Sequence, residues 1–360
     1  MKTAIVAASA FLFLNACSSP SNSEKATTTK TDSTSARDTY TQSNADSIDF
    51  QHLHLDISVS FDKKQIAGMA EWTIQNKTAA KEMHLDSYAL SVDSVLVDGQ
   101  KGTFSFGEKV PFLGKQLRIP IKPETKDVKI FYASSDSASA LQWLSPAQTM
   151  TKKKPFLYTQ SESIYARSWV PCPDGPGIRF TYDARVTVPK GLMALMSAEN
   201  PQKVSDSGIY HFKMKNPIPA YLLALAVGDI EFRPIDARTG VYAEPAMIDK
   251  ARWELADVGK MVTTAESLYG PYRWGRYDVL ILPPGFPIGG MENPRLTFAT
   301  PTIIAGDRSL VNLIAHELAH NWSGNLVTNA TWNDIWMNEG FTVYLERRIS
   351  EAMLGKTYVD

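Results

Sequence analysis

Cysteine is nearly missing from this 360-residue sequence, which has only Cys17 and Cys172. Two cysteines so far apart exclude a disulfide framework as the source of stability. Cys172, in Pro171-Cys172-Pro173-Asp174-Gly175, has no histidine near it in sequence and reads as a small structural residue on a turn, not a nucleophile. An excess of either charge is missing too: 37 Lys and Arg against 38 Asp and Glu leave a formal net charge of -1, which excludes nucleic acid as the main partner. No long apolar run occurs. The run from Ala4 to Leu14, behind Lys2, is too short to span a bilayer and has the form of a secretion signal. Histidine is scarce, with six in the chain, so two of them at a metal-ligand spacing carry weight.

What is present divides along the chain. Residues 1–17 end in Leu14-Asn15-Ala16-Cys17, followed by Ser18-Ser19, a run similar to the lipobox of bacterial lipoproteins, although Asn15 is unusual there. A lipidated Cys17 would anchor the protein to a membrane of the bacterial cell envelope; the alternative is a plain signal peptide cut near Ala16. Residues 18–47 are mostly Ser, Thr, Asp, Asn and Lys with one aromatic, Tyr40, and read as a disordered tether. The remainder is long enough for two cores, and 44% hydrophobic with 21% charged residues is ordinary for a globular protein.

From 48 to 234 the pattern is that of an all-β domain. Strands are expected at Leu53 to Phe61, Ala67 to Ile74, Val92 to Val97, Lys129 to Ala133, Arg179 to Val188 and Tyr221 to Val227, divided by turn signals such as Asp98-Gly99. His52 and His54 fall on the polar side of the first strand's alternation and read as solvated surface residues; His84 and His211 have no ligand constellation near them. From 235 to 360 the period changes. Met247, Ala251, Leu255, Val258, Val262 and Leu268 predict one long amphipathic helix, Tyr277 to Leu282 a buried strand, and Leu296 to Ala299 an edge strand able to bind extended peptide by β-addition. This second domain is α+β.

It also holds His316-Glu317-Leu318-Ala319-His320 and, 19 positions later, Glu339. Leu310, Leu313, Ile314 and Leu318 predict a helix here independently of the histidines, with Asp307 or Ser309 as its cap. On that helix His316 and His320 share a face about 6 Å apart along the axis, within reach of one ion. A second helix, about Asp334 to Met353, delivers Glu339. Two imidazoles and a carboxylate suit one Zn²⁺ per chain with a fourth position open for water, and Glu317 stands beside it as a base. The longer H-E-x-x-H-x-x-G-x-x-H pattern is excluded by Ser323 and Leu326.

Gly289-Gly290-Met291-Glu292-Asn293, the H-E-x-x-H and Asn338-Glu339-Gly340 together resemble the gluzincin (M1-type) zinc aminopeptidases, in particular the branch that holds leukotriene A4 hydrolase and aminopeptidase B. The resemblance includes Gly324-Asn325-Leu326-Val327-Thr328-Asn329 and reaches back to Tyr158-Thr159-Gln160-Ser161-Glu162. It implies a multidomain protein: an all-β N-terminal domain, an α+β thermolysin-like zinc catalytic domain and a helical C-terminal domain, the last expected to be absent and the catalytic domain truncated. It implies zinc on His316, His320 and Glu339, Glu317 as general base, and Glu162 with Glu292 holding a substrate's free α-amino group. Gln160, Gly289, Gly290, Met291 and Asn293 complete the expected substrate site. The substrates implied are peptides with a free N-terminus. The family's oxyanion tyrosine lies beyond the Glu339 helix; Tyr358 is too close to that helix to be assigned to it, so slow turnover is expected. Glu162 stands where the leukotriene hydrolase has glutamine, which favours peptides. The alternatives are a lipid-epoxide hydrolase and a non-catalytic surface protein that binds peptide termini.

Overall fold

The structure, a computed structural model, describes residues 38–359; the expected signal, Cys17 and the tether up to residue 37 lie outside the described residues. No helix among the described residues is long and apolar enough to cross a membrane. The tether's remaining stretch is held in place: Thr41 Oγ1 and the Gln42 amide donate to Asp86, the latter at 2.7 Å, and Asn44 bonds to Glu82 and His84. Polar composition hid this, because the partners are a buried carboxylate and strand backbone and not a hydrophobic core.

The β-rich region is built on a seven-stranded sheet ordered Ile209–Ile218, Phe180–Thr187, Ile48–Ser60, Gln65–Asn76, Asp127–Ala133, Ser91–Val97 and Gln100–Lys101. Strand Ile48–Ser60 starts earlier than its alternation predicts. A register shift between Phe50 and His52 moves the buried set from even positions (Ile48, Phe50) to odd ones (Leu53, Leu55, Ile57, Val59), so the period-2 signal breaks although the strand does not. Trp72 packs edge-on against Phe50 and Phe180, at 5.4 and 4.8 Å between ring centroids, and its indole N–H donates to the Pro171 carbonyl. A three-stranded sheet (Glu82–Ser87, Gly114–Pro120, Ser105–Val110) has no counterpart in the sequence reading, because Ser105–Val110 is almost wholly exposed and carries no alternation.

Behind the large sheet lies a four-stranded one, ordered Met193–Met196, Leu225–Gly228, Phe156–Thr159 and Leu141–Leu144; the first three are buried at every position. The expected strand over Tyr221 to Val227 is a correction. Ala220–Leu222 forms a 3₁₀ turn after Pro219, which lacks the N–H a strand ladder needs, and pairing begins only at Leu225. The turn sets Tyr221 edge-on to Trp332, 5.1 Å between ring centroids. Phe156–Thr159 runs straight into Gln160 and Glu162, so these side chains leave the end of a rigid, buried strand.

The second region is a five-stranded sheet, ordered Glu231–Pro234, Thr239–Ala243, Tyr277–Ile281, Leu296–Ala299 and Gly290–Met291, with helices packed on it. Its first strand therefore precedes the boundary expected at 234/235. Leu296–Ala299 lies inside the sheet, and the edge is Gly290–Met291, which pairs antiparallel with Ala299 and Phe298. The expected single helix over 247–268 is two, α1 (Ile248–Glu254) and α2 (Val258–Tyr269). Leu255 and Val258 keep helical phase across the break, so periodicity does not betray it. The buried Glu254 carboxylate accepts the Gly306 and Arg308 amides at 2.8 and 2.7 Å, while Asp257 pairs with Lys260 and Arg308. These tertiary bonds turn the chain there. Helix α3 (Asn312–Ala319) is capped by neither Asp307 nor Ser309; Val311 precedes it without a side-chain cap, and Leu310 is exposed. Helix α4 (Ile335–Leu354) falls where expected, and a short α5 (Lys356–Val359) follows.

Candidate active site

His316 lies on the last turns of α3 and His320 just past its end, still in helical conformation, with its amide bonded to the His316 carbonyl. Their Nε2 atoms face each other at 3.1 Å, and a Glu339 carboxylate oxygen, brought by α4, lies 3.5 and 3.7 Å from them. The three expected metal ligands therefore converge on one point, with spacings close to those about an ion held at 2.0–2.2 Å.

The far side of each ring explains why both Nε2 lone pairs point inward. His316 Nδ1 is 3.1 Å from Glu346, two helical turns beyond Glu339 on α4. His320 Nδ1 is 3.0 Å from Asn338 Oδ1 and 3.3 Å from the Ser323 carbonyl. With both Nδ1 atoms facing acceptors, each carries its proton there, and two lone pairs 3.1 Å apart need a cation between them. The donor set fits zinc. Burial opposes a charge on His316, but the Glu339 and Glu346 carboxylates outweigh it and raise its pKa to about 10, so in the metal-free chain a proton takes the cation's place. Glu346 and Asn338 were missed as functional residues; Glu346 was findable, because a carboxylate seven positions after Glu339 shares its helix face.

Glu317 is buried, and its pKa is pushed well above the usual carboxylate range by burial and by Glu292, against the opposing pull of His316. Its seat explains Gly290. A Cβ at 290 would lie 2.3 Å from Glu317 Oε1 and 2.7 Å from its Cγ, so only glycine lets the edge strand approach the base. A carboxylate oxygen of Glu292, one of Glu317 and a ring nitrogen of His320 all lie within 4.8 Å of one another.

The residues expected to bind substrate are brought together at this edge strand. Gln160 Nε2 is 3.1 Å from Met291 Sδ, and Gly289 accepts the Thr300 amide. Burial and then the like charges of Glu292, Glu339 and Glu317 push Glu162 well above its usual pKa. Three acceptors here are buried with no partner: Gln160 Oε1, Glu162 Oε1 and Glu292 Oε1; Asn293 Nδ2 is a buried donor in the same condition. A cationic donor would satisfy the carboxylates and relieve their repulsion. Tyr221, 1% exposed and edge-on to Trp332, also faces this cluster, and burial with Glu292 and Glu162 keeps its hydroxyl protonated. Sequence pattern gives no sign of it, because the apolar run over 221–227 has the look of a strand.

The other singled-out residues stay apart. His52 and His54 both bond to Asp183 at 2.6 Å on the outer face of the large sheet, and Cys172 is buried and free.

Comparison with known proteins gives the family. The chain is 44% identical to leukotriene A-4 hydrolase of Xenopus laevis over 319 residues, covering 86% of this chain and 52% of that protein. It is 43% identical to leucine aminopeptidase 2 of Yarrowia lipolytica, covering 89% and 50%. Native yeast LTA4 hydrolase superposes with a TM-score of 0.86 at 41% identity, covering 91% of this chain and 52% of that one. The chain thus spans about half the length of these relatives. The peptidase M1 N-terminal domain matches residues 21–222 and the peptidase family M1 domain residues 253–359, the second containing every metal-site residue described above: the chain belongs to peptidase family M1.

Proposed function

We propose that this chain carries the active site of a zinc aminopeptidase that removes N-terminal residues from peptides. The observation that carries this reading is the pair of buried, unpartnered carboxylate oxygens on Glu162 and Glu292 beside a converged His₂Glu set and a buried base. An ammonium group is the ligand that such a pair lacks, and a peptide's only backbone ammonium is its free N-terminus.

His316, His320 and Glu339 would hold the ion, which when bound supplies a Lewis acid for the scissile carbonyl and acidifies water. The chain's own groups do the rest. Glu162 and Glu292 fix the substrate's amino end, and the Gly290–Met291 edge presents backbone to the first residues of an extended peptide. Glu317, its carboxylate held against Gly290, takes the proton from the attacking water and returns it to the leaving amine. Burial favours this shuttle, since it raises the base's proton affinity.

The test is Glu317→Gln in the zinc-loaded protein. Hydrolysis of an aminoacyl-nitroanilide should fall by about 10²- to 10⁴-fold with zinc content unchanged; an unchanged rate would sink the reading. Epoxide hydrolysis remains the second reading, favoured by the identity to leukotriene A-4 hydrolase. Formation of a diol from a leukotriene-type epoxide decides it. We also propose, on sequence alone, that Cys17 is lipidated in a bacterial envelope; intact-mass analysis of the purified protein would show the acyl chains or their absence.

A further inference from the structure

The metal site and the amine site meet at one loop, residues 324–328, and that loop is gripped from the β-rich region. Arg179, just before strand Phe180–Thr187, donates from Nη1 to Thr328 Oγ1 at 2.6 Å and from Nη2 to the Asn325 carbonyl. The Thr328 hydroxyl passes on to the Gly324 carbonyl, and the Gly324 amide donates to Val327 at 2.8 Å, so the loop is closed on itself.

Two bonds lead from this loop into the site. The Asn325 amide donates to the His320 carbonyl at 2.8 Å, and Asn325 Nδ2, fully buried, donates to the Glu292 carbonyl at 2.7 Å. Gly324 adds a steric contact: at φ +118, a Cβ there would lie 2.2 Å from Asn338 Oδ1 and 2.9 Å from His320 Nδ1. The loop therefore has no slack against the imidazole or its amide partner. One guanidinium, through one buried asparagine, fixes the main chain of a metal ligand and of an amine acceptor at once.

Arg179 has no structural debt to settle by being there. It forms no ion pair with a carboxylate among the described residues, and burial works against its charge. Its two bonds go to a carbonyl and a hydroxyl, in a forked geometry that lysine cannot reproduce. Replacing it strands no buried carboxylate, so the substitution is tolerable for folding.

We propose that Arg179 is a positioning residue that sets His320 and Glu292 together through the 324–328 loop, so that the β-rich region tunes zinc affinity and amine binding at once. Its consequence for turnover rests on the aminopeptidase reading, whereas its consequence for the loop and the metal does not.

The experiment compares wild type, Arg179→Gln, Arg179→Lys and Thr328→Val as full chains. Arg179→Gln should speed amide hydrogen exchange about 10-fold in residues 320–328 and 289–293 and nowhere else, as expected for loss of one to two net hydrogen bonds. Its zinc dissociation constant, by chelator competition, should rise about 10-fold, in the range for partners behind a ligand. In active protein at saturating zinc, KM for a free-amine substrate should rise about 10-fold with kcat within about 3-fold, because the loss is in ground-state positioning. Arg179→Lys should recover part of each change, and Thr328→Val should show about a 3- to 10-fold effect, having lost one Arg179 bond and the hydroxyl's bond to the Gly324 carbonyl while keeping the Arg179 bond to the Asn325 carbonyl. Unchanged exchange and zinc affinity in Arg179→Gln would overturn the proposal. So would a uniform rise in exchange across the chain, which marks a merely structural role. If wild type binds zinc but hydrolyses nothing, the aminopeptidase reading fails while the exchange and zinc measurements still decide this one.

Discussion

The two ends of the site are assembled in opposite ways. The metal end is local: His316, Asn338, Glu339 and Glu346 come from helices α3 and α4, His320 from the residue that ends α3, and each ring nitrogen already has a polar neighbour. The amine end is non-local: Gln160 and Glu162 leave a strand of the β-rich region, Glu292 directly follows a two-residue edge strand, and Tyr221 comes from a 3₁₀ turn. Here Gln160, Glu162, Tyr221 and Glu292 all keep a buried polar atom without a partner, against Asn338 Nδ2 alone among the five metal-end residues. The difference shows where the fold places its cost. The metal end is pre-assembled and pays through a proton on His316, whereas the amine end holds like charges and unmet acceptors together for a ligand to satisfy.

If the metal end is pre-assembled, its supporting carboxylate matters nearly as much as a ligand. Glu346→Gln should weaken zinc binding by about 10- to 100-fold, read by chelator competition, while leaving amine recognition intact. An equal loss of both would break the separation between the two ends.

A smaller effect sharpens the comparison through pH. In the metal-free chain the His316 pKa is raised to about 10, so a proton must leave before zinc can bind. Apparent zinc affinity should therefore rise with pH by about 10-fold per unit from neutrality, levelling near pH 10, with about one proton released per ion into the buffer. The sign reverses without metal. A raised folded pKa gives the metal-free fold a stabilisation that is complete below the unfolded value of 6.5 and lost as pH rises through about 10. Zinc-loaded and metal-free protein should thus respond oppositely to pH in thermal melts.

The same contrast governs what could be read from the sequence. The metal end was legible because its ligands fall within two amphipathic helices, and 3.6-residue periodicity places His316, His320 and Glu339 without tertiary information. Glu346 is legible by the same rule, seven positions after Glu339 on one helix face. At the amine end, nothing in local spacing links Glu162 to Glu292, which are 130 positions apart, and only the family resemblance joined them. Fold errors follow the same line. The strand sense of Leu296–Ala299 was right but its place at the edge was not, since strand order is a tertiary property. The break between α1 and α2 and the turn at Ala220–Leu222 arise from buried partners and a proline whose effect periodicity does not report. Arg179 carries no motif at all; its role exists only because residues 325–328 are folded against it.

The account's central claim is that Glu162 and Glu292 form an ammonium site independent of the metal. It is tested most directly by the ratio of kcat/KM for a free-amine aminoacyl-nitroanilide to that for its N-acetylated counterpart, in wild type and in Glu162→Gln/Glu292→Gln, with zinc content measured in both. The account predicts a wild-type preference on the order of 10⁴, as for sites built around a substrate's polar group, collapsing by at least about 10²-fold in the double variant at unchanged zinc. A preference that survives the double substitution, or that falls only because zinc is lost, would contradict it.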